Sequence, residues 1–251
     1  MKILKYKKTT KGKYKIYLDN GNELVLYEDV ILKYNLLLNK KIDEKALIEL
    51  DKYNQECDVY YVALDSINRR FKSIFELKET LKRKEYPEDL IDKAITKLIE
   101  QGYLNDRSYT KSYINNQIIT TNKGPYKIIR ELQDKKIDEN IINEEIESFT
   151  EEEQASRIRK LIDKGIRSNH TRGGIILKQK IYNDLKNLGY DINLINSIIS
   201  EYSFSLDKEI AKHEYDKLYK KYSKKLSGYE LDKKIKEKLF QKELKYEYEE
   251  D

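Results

Sequence analysis

The sequence predicts a mainly α protein: an elongated tandem array of three-helix, helix-turn-helix-like repeats behind a small N-terminal β-hairpin and helix region. Three observations carry that prediction. Apolar residues recur at helical spacing from Cys57 onward, although 38% of the 251 residues are charged and the mean hydropathy is −0.84; a disordered chain of this composition would scatter them. Three blocks, 77–95, 128–146 and 181–199, superimpose on one another at offsets of 51 and 53 residues. Ahead of them, Asp19-Asn20-Gly21-Asn22 separates two short alternating segments and supplies residues that tolerate positive φ in a tight hairpin.

Taken in order, Lys13 to Leu18 places Tyr14, Ile16 and Leu18 on one strand face, and Glu23 to Leu26 returns. Residues 27–38 and 43–54 read as helices, so residues 1–54 form the N-terminal region. In the repeat blocks, apolar residues coincide at Leu77, Ile128 and Ile181, at Leu81, Leu132 and Leu185, at Tyr86, Ile137 and Tyr190, and at Ile91, Ile142 and Ile195. Matching blocks at one period signal a tandem array of supersecondary units.

The first repeat spans 57–106, with helices over Val59 to Arg70, from the capping box Ser73-Ile74-Phe75-Glu76, and from Glu88 to Gln101 before Gly102. The second, 107–149, has Asp106 as the expected cap of its first helix, Gly124-Pro125 at the start of the second and Asp138 at the third. The third, 150–205, opens on a capping box from Thr150 to Glu153, breaks at Thr171 to Gly174, and caps its last helix with Asp191. A truncated fourth repeat, 206–251, has Ser205 as its expected cap and places Ile235, Leu239 and Leu244 in register with Leu77, Leu81 and Tyr86.

Three short helices joined by turns suggest DNA reading by the last helix, which would then be basic. Charge excludes that mode: all three third helices are net acidic, and the bases sit on the second helices. Residues 155–205 hold nine bases and four acids, a net of +5, whereas 107–154 hold seven and ten, a net of −3. One module can face a polyanion while its neighbour faces something basic, although solvated helix faces would give the same counts.

Reactive motifs are missing. His170 and His213 lie in no metal or nucleophile pattern, Gly173-Gly174 is no phosphate loop, and acids at helix starts are explained by capping. Cys57 alone allows no internal disulfide or multi-thiolate metal site. The N-terminus has no apolar signal core, and no stretch approaches the roughly 18 apolar residues of a spanning helix. The expectation is a cytoplasmic, monomeric, non-enzymatic protein that needs no cofactor and touches no membrane.

Tyr61-Val62-Ala63-Leu64, Arg70-x-x-Ser73-x-x-Glu76-Leu77-x-x-x-Leu81, Leu98-x-x-x-Gly102-Tyr103-Leu104-Asn105-Asp106-x-x-Tyr109-x-x-x-Tyr113 and Gly124-Pro125-x-x-Ile128-x-x-Glu131-Leu132-x-x-Lys135 together resemble the RecX regulatory proteins. The match is densest over 60–137. Thr110 stands where that family usually has Ala, and Lys136 where it usually has Gly before Ile137.

The resemblance implies a modulator of the RecA recombinase, lying along the groove of its filament on DNA and mainly inhibiting ATP hydrolysis, strand exchange and co-repressor cleavage. Single- and double-stranded DNA would be weaker or filament-dependent partners. Binding would spread over several weak contacts made strong by linkage. The residues expected to pair with acidic recombinase side chains or phosphates are Arg70, Lys82, Arg83, Lys127, Arg130 and Lys135 in the first two modules, and Arg157, Arg159, Lys160, Arg167, Arg172 and Lys178 in the basic third. The alternative is a general DNA-binding helical-repeat protein without recombinase specificity.

Overall fold

A computed structural model describes residues 1–10, 12–169, 174–204, 208–242 and 244. The chain forms two compact units, Met1–Thr110 with Lys135–Ile141, and Lys111–Asp134 with Ile142–Asp251.

The first unit begins with strands β1 (Ile3–Lys8), β2 (Lys13–Leu18) and β3 (Glu23–Tyr27), ordered β1-β2-β3 and antiparallel throughout. The expected hairpin is present, with Gly21 at φ 85°, but a third strand joins it. Lysines crowd β1 and hide its alternation, and only pairing with β2 reveals the strand.

Helix α1 (Glu28–Lys33) is shorter than the 27–38 expected. Asn35 adopts φ 49° and turns the chain out of the helix, leaving Leu38 exposed. The helices expected over 43–54 and 59–70 are one: α2 runs unbroken from Glu44 to Arg69. Nothing between them can stop a helix, since residues 43–70 contain neither Gly nor Pro.

Helix α2 therefore serves two cores. Its Leu50 and Cys57 pack with Ile16, Leu26, Val30 and Ile31 from the sheet and α1. One turn on, Val59, Tyr60 and Ala63 pack against Leu77 and Leu81 of α3 (Ile74–Lys82) and Leu90, Ile91, Ile95 and Leu98 of α4 (Glu88–Glu100). Between them, Asp58 accepts from Lys13 Nζ at 2.9 Å, Tyr27 Oη at 2.7 Å and Tyr86 Oη at 2.8 Å, tying sheet and three-helix module to one carboxylate. Burial would raise this carboxyl, but the three donors hold it below the usual range. Burial and the same carboxylate push the Tyr86 phenol up to about 12.

The Ser73 capping box is present in both halves, and Gly102 ends its helix at φ 74°. One cap differs. Asn105, not Asp106, accepts the first-turn N–H of α5 (Asp106–Thr120), from Ser108 at 3.0 Å. Asp106 instead accepts the Ile74 N–H at 2.9 Å, satisfying an orphan donor of α3. Thr110 is fully buried, and its hydroxyl donates to the Asp106 carbonyl at 2.7 Å, so a polar residue is accommodated where the resemblance leads one to expect Ala.

In the second unit, α5 is followed by α6 (Pro125–Asp134), α7 (Glu139–Ile146), α8 (Glu151–Arg167), α9 (Gly174–Leu188), α10 (Ile192–Ser200), α11 (Lys208–Tyr222) and α12 (Gly228–Phe240). Pro125 opens α6, and Asp191 caps α10 through the N–H groups of Asn193 and Leu194. Thr150 accepts the Glu153 N–H at 3.3 Å, but Glu153 turns to Arg157, so the expected reciprocal box is only half made. Ile235, Leu239 and Leu244 are buried together with Ala211, Leu218 and Leu231 of α11 and α12, as the repeat register requires. Of the expected break at Thr171 to Gly174, Gly174 is described and begins α9, while Thr171, Arg172 and Gly173, the cap at Ser205, and His170 lie outside the described residues.

The repeat register also shows in the backbone. Glu85, Lys136 and Gly189 each follow the aligned leucines Leu81, Leu132 and Leu185 by four positions, and all three have positive φ: 63°, 56° and 87°. Lys136 thus makes the left-handed turn without a glycine.

Candidate functional site

The sequence points to surface cations, and the structure sorts them by whether their charge is already committed. In the first unit, Lys135 is paired with Glu76, and both side chains are about 20% exposed. Glu76 also accepts the Ser73 N–H of its capping box, and Arg70 stands 3.7 Å away. Burial would raise the Glu76 carboxyl; Lys135 and the Ser73 N–H outweigh it and hold the group below its ordinary value. Lys82 pairs with Glu88 at 3.0 Å across the α3–α4 turn, and Arg83 donates to the Glu79 carbonyl at 3.2 Å.

In the second unit, Arg157 is held inside. Its guanidinium donates to the Ile118 and Thr121 carbonyls, contacts Glu153, and lies 5.4 Å from the centre of the Phe149 ring. A cation on α8 therefore closes the C-terminal end of α5, where unpaired carbonyls and the helix dipole favour positive charge. Arg159 forms a two-point pair with Glu201, at 3.1 and 2.9 Å, and Arg167 donates to the Asp163 carbonyl at 3.3 Å.

Lys127 and Arg130 on α6, Lys160 on α8 and Lys178 on α9 are exposed and have no ion-pair partner among the described residues. Lys160 is joined by Lys164, which was not among the expected site residues. Ile158 and Ile162 are buried at i and i+4, which turns 160 and 164 outward on a shared face. That face borders a groove of about 400 Å³ between α8 and the end of α5, lined by Lys160, Lys164, Ser156, Asn122 and Ile119. Ile119 is 81% exposed, an apolar side chain beside two uncommitted ammonium groups. The i, i+4 spacing of the lysines was legible in the sequence; the proximity of Ile119 was not, because it depends on how α8 meets α5.

Among the described residues, no group of three or more His, Cys, Asp or Glu side chains is placed to hold a metal ion. No helix among them is long and apolar enough to cross a membrane. Burial pushes the Cys57 thiol up to about 11.

Comparison with known proteins reaches along most of the chain. Residues 60–98 match the family model described as RecX, first three-helix domain, and residues 105–145 match RecX, second three-helix domain. A regulatory protein RecX of Streptococcus pneumoniae (strain Hungary19A-6) is 30% identical over 247 residues, covering 96% of this chain and 94% of its own. The regulatory protein RecX of Bacillus subtilis (strain 168) is 29% identical over 245 residues, 96% and 92% of the two chains. A crystal structure of regulatory protein RecX superimposes with a TM-score of 0.69 at 28% identity, covering 78% of this chain and 98% of that one. A crystal structure of RecX from Lactobacillus salivarius gives 0.56 at 28% identity, covering 59% and 97%. Paired three-helix domains, near full-length relatives and the shared fold agree, and the chain belongs to the RecX family of regulatory proteins.

Proposed function

We propose that this protein binds the RecA recombinase filament on DNA and modulates it, mainly by inhibiting ATP hydrolysis, strand exchange and co-repressor cleavage, so regulating recombination, DNA repair and the SOS response in the cytoplasm. The observation that carries the reading is family membership over nearly the whole chain. The distribution of charge supports it: Lys127, Arg130, Lys160, Lys164 and Lys178 offer uncommitted cations from three helices of one unit. No single ammonium at a wet surface contributes much, so affinity would come from many contacts and their linkage.

Within this proposal the expected contacts divide by cost. Lys127, Arg130, Lys160 and Lys178 can engage a partner without breaking an ion pair with any described residue. Arg70, Lys82 and Arg159 must first leave a carboxylate, while Arg83 and Arg167 spend only Nε on a backbone carbonyl and keep their terminal N–H groups for a partner. Lys135 and Arg157 hold the fold beneath the surface and act by positioning. The protein acts as a monomer by binding, not by catalysis.

The test is titration of the full chain into filaments of the cognate recombinase on single-stranded DNA, following ATP hydrolysis and filament length together. A fall in both supports the reading; unchanged hydrolysis and length at saturating protein would falsify it. General DNA binding is the second reading, and it predicts tight binding to bare DNA with no added effect of the recombinase.

A further inference from the structure

The N-terminal sheet carries a charge pattern that the recombinase reading leaves unused. The first 18 residues contain seven lysines and no acid. The antiparallel register sorts them by face. Lys5 stands opposite Tyr17 and Tyr17 opposite Glu23, while Lys7 stands opposite Lys15 and Lys15 opposite Val25. Directly paired residues share a face, so these side chains form one surface, and the buried Ile16, Leu18 and Leu26 form the other.

That outer face is uncovered where these residues stand. Lys5 and Lys7 are exposed with no ion-pair partner among the described residues, Val25 is 49% exposed and Leu4 65%. Half-buried Tyr17 has Lys15 Nζ 5.6 Å from its ring centre, and Lys15 also pairs with Glu23; farther along the same face Lys13 and Tyr27 both bond Asp58 of α2. One end of each sheet edge is tied to neighbouring chain. The Ile3 N–H donates to Lys40 and the Ile42 N–H to Met1 beside β1, while Asn54 accepts the Tyr27 N–H and donates to the Val25 carbonyl beside β3.

We propose that the outer face of β1–β3 binds single-stranded nucleic acid, with Lys5, Lys7 and Lys15 meeting phosphates and Tyr17, flanked by Val25, meeting an unstacked base. Side chains two apart on a strand are spaced by about 6.8 Å, so Lys5 and Lys7 on one strand beside Lys15 on the next give a row of cations along an extended backbone. An aromatic ring among them adds sequence-tolerant stacking, which a duplex with its bases paired inside cannot use. The site needs no recombinase, so it stands or falls separately from the reading above.

The experiment measures binding of the full-length chain to a labelled oligo-dT and to a duplex of equal length, from 50 to 300 mM salt, with no recombinase present. Lys5→Glu, Lys7→Glu and Lys15→Glu combined should weaken oligo-dT binding at least about tenfold and lower the log–log salt slope by about 2. The triple Gln variant, which adds no new charge, should lower the slope equally and covers the case in which the Glu variant does not fold. Tyr17→Ala should cost about fivefold or more on oligo-dT with the slope unchanged, and Tyr17→Phe should restore it. Four results would overturn the proposal: wild-type protein that does not bind oligo-dT at 50 mM salt, Lys variants within twofold of wild type, equal losses on duplex and single strand, or displacement of oligo-dT by polyglutamate or anionic lipid vesicles as readily as by unlabelled oligo-dT.

Discussion

Gly124 and Gly189 lie backbone against backbone: a Cβ placed on Gly124 would sit 2.5 Å from the carbonyl carbon and oxygen of Gly189. The contact is bonded as well as close, with the Gly124 N–H donating to Leu188 at 2.7 Å and the Tyr126 N–H to Gly189 at 3.0 Å. The start of α6 is thereby seated on the turn between α9 and α10. Gly124→Ala should destabilise the chain by about 1 to 3 kcal/mol, the usual cost of forcing extra volume into a packed contact. Gly189→Ala should cost more, because it adds a left-handed backbone at φ 87° to a contact of 2.5 Å with the Lys127 nitrogen. Gly102→Ala, at φ 74° with open space around it, isolates the backbone contribution alone. Urea unfolding midpoints of the three variants should rank accordingly.

Lys136 and Glu85 adopt the conformation that Gly189 adopts, but with side chains. Both side chains are exposed, so little is lost by removing them. Lys136→Gly and Glu85→Gly should each stabilise by about 0.5 to 1 kcal/mol, since relief of the left-handed strain exceeds the extra freedom glycine gives the unfolded chain. A lower midpoint for both variants in thermal unfolding would contradict this.

Arg157 and Arg159 are two residues apart and should behave oppositely. Arg157→Met removes charged donors from the Ile118 and Thr121 carbonyls and should cost about 2 to 3 kcal/mol. Arg157→Lys should not restore it, because one ammonium cannot reproduce the planar fork. Arg159→Ala breaks a solvent-exposed pair with Glu201 and should leave the unfolding midpoint where it was.

The Glu76 carboxyl gives the first unit an acid limb. Its folded value lies below the ordinary 4.5, so its stabilisation is complete above that value and is lost as pH falls through the depressed folded one. The wild-type chain should lose stability steeply below about pH 4.5, and Glu76→Gln should be less stable at pH 7 yet flatter through that range. Stability measured by urea at successive pH values from 7 to 3 tests the sign.

Lys160→Glu with Lys164→Glu should preserve the unfolding midpoint, as both groups are exposed and unpaired among the described residues. The same pair should raise the concentration needed for half-inhibition of recombinase ATP hydrolysis by about thirtyfold, given roughly 1 kcal/mol from each of the two reversed contacts. Unaltered potency would remove the α5–α8 groove from the proposed contact surface.

The sequence by itself determined the periodic core. Leu77, Leu81, Ile128, Leu132, Ile181 and Leu185 could be named as buried because amphipathic helices repeat their apolar positions and a tandem array repeats the helices. Local capping was legible for the same kind of reason at Ser73 and Asp191, where a side chain answers an N–H within three residues. What lay beyond a few residues was decided by tertiary structure. Asp106 was expected to cap its own helix, but Asn105 does so, and the Asp106 carboxylate is drawn to an N–H of α3. Strand β1 exists because β2 offers it a partner, and the two cores that α2 serves, the sheet's and the first three-helix module's, are set by the partners each brings to it. Charge counting found the cations but could not separate Arg157, spent on the carbonyls of α5, from Lys160, which is free of any ion pair among the described residues. A charge is a property of the residue, whereas its availability is set by the acceptors that folding brings beside it.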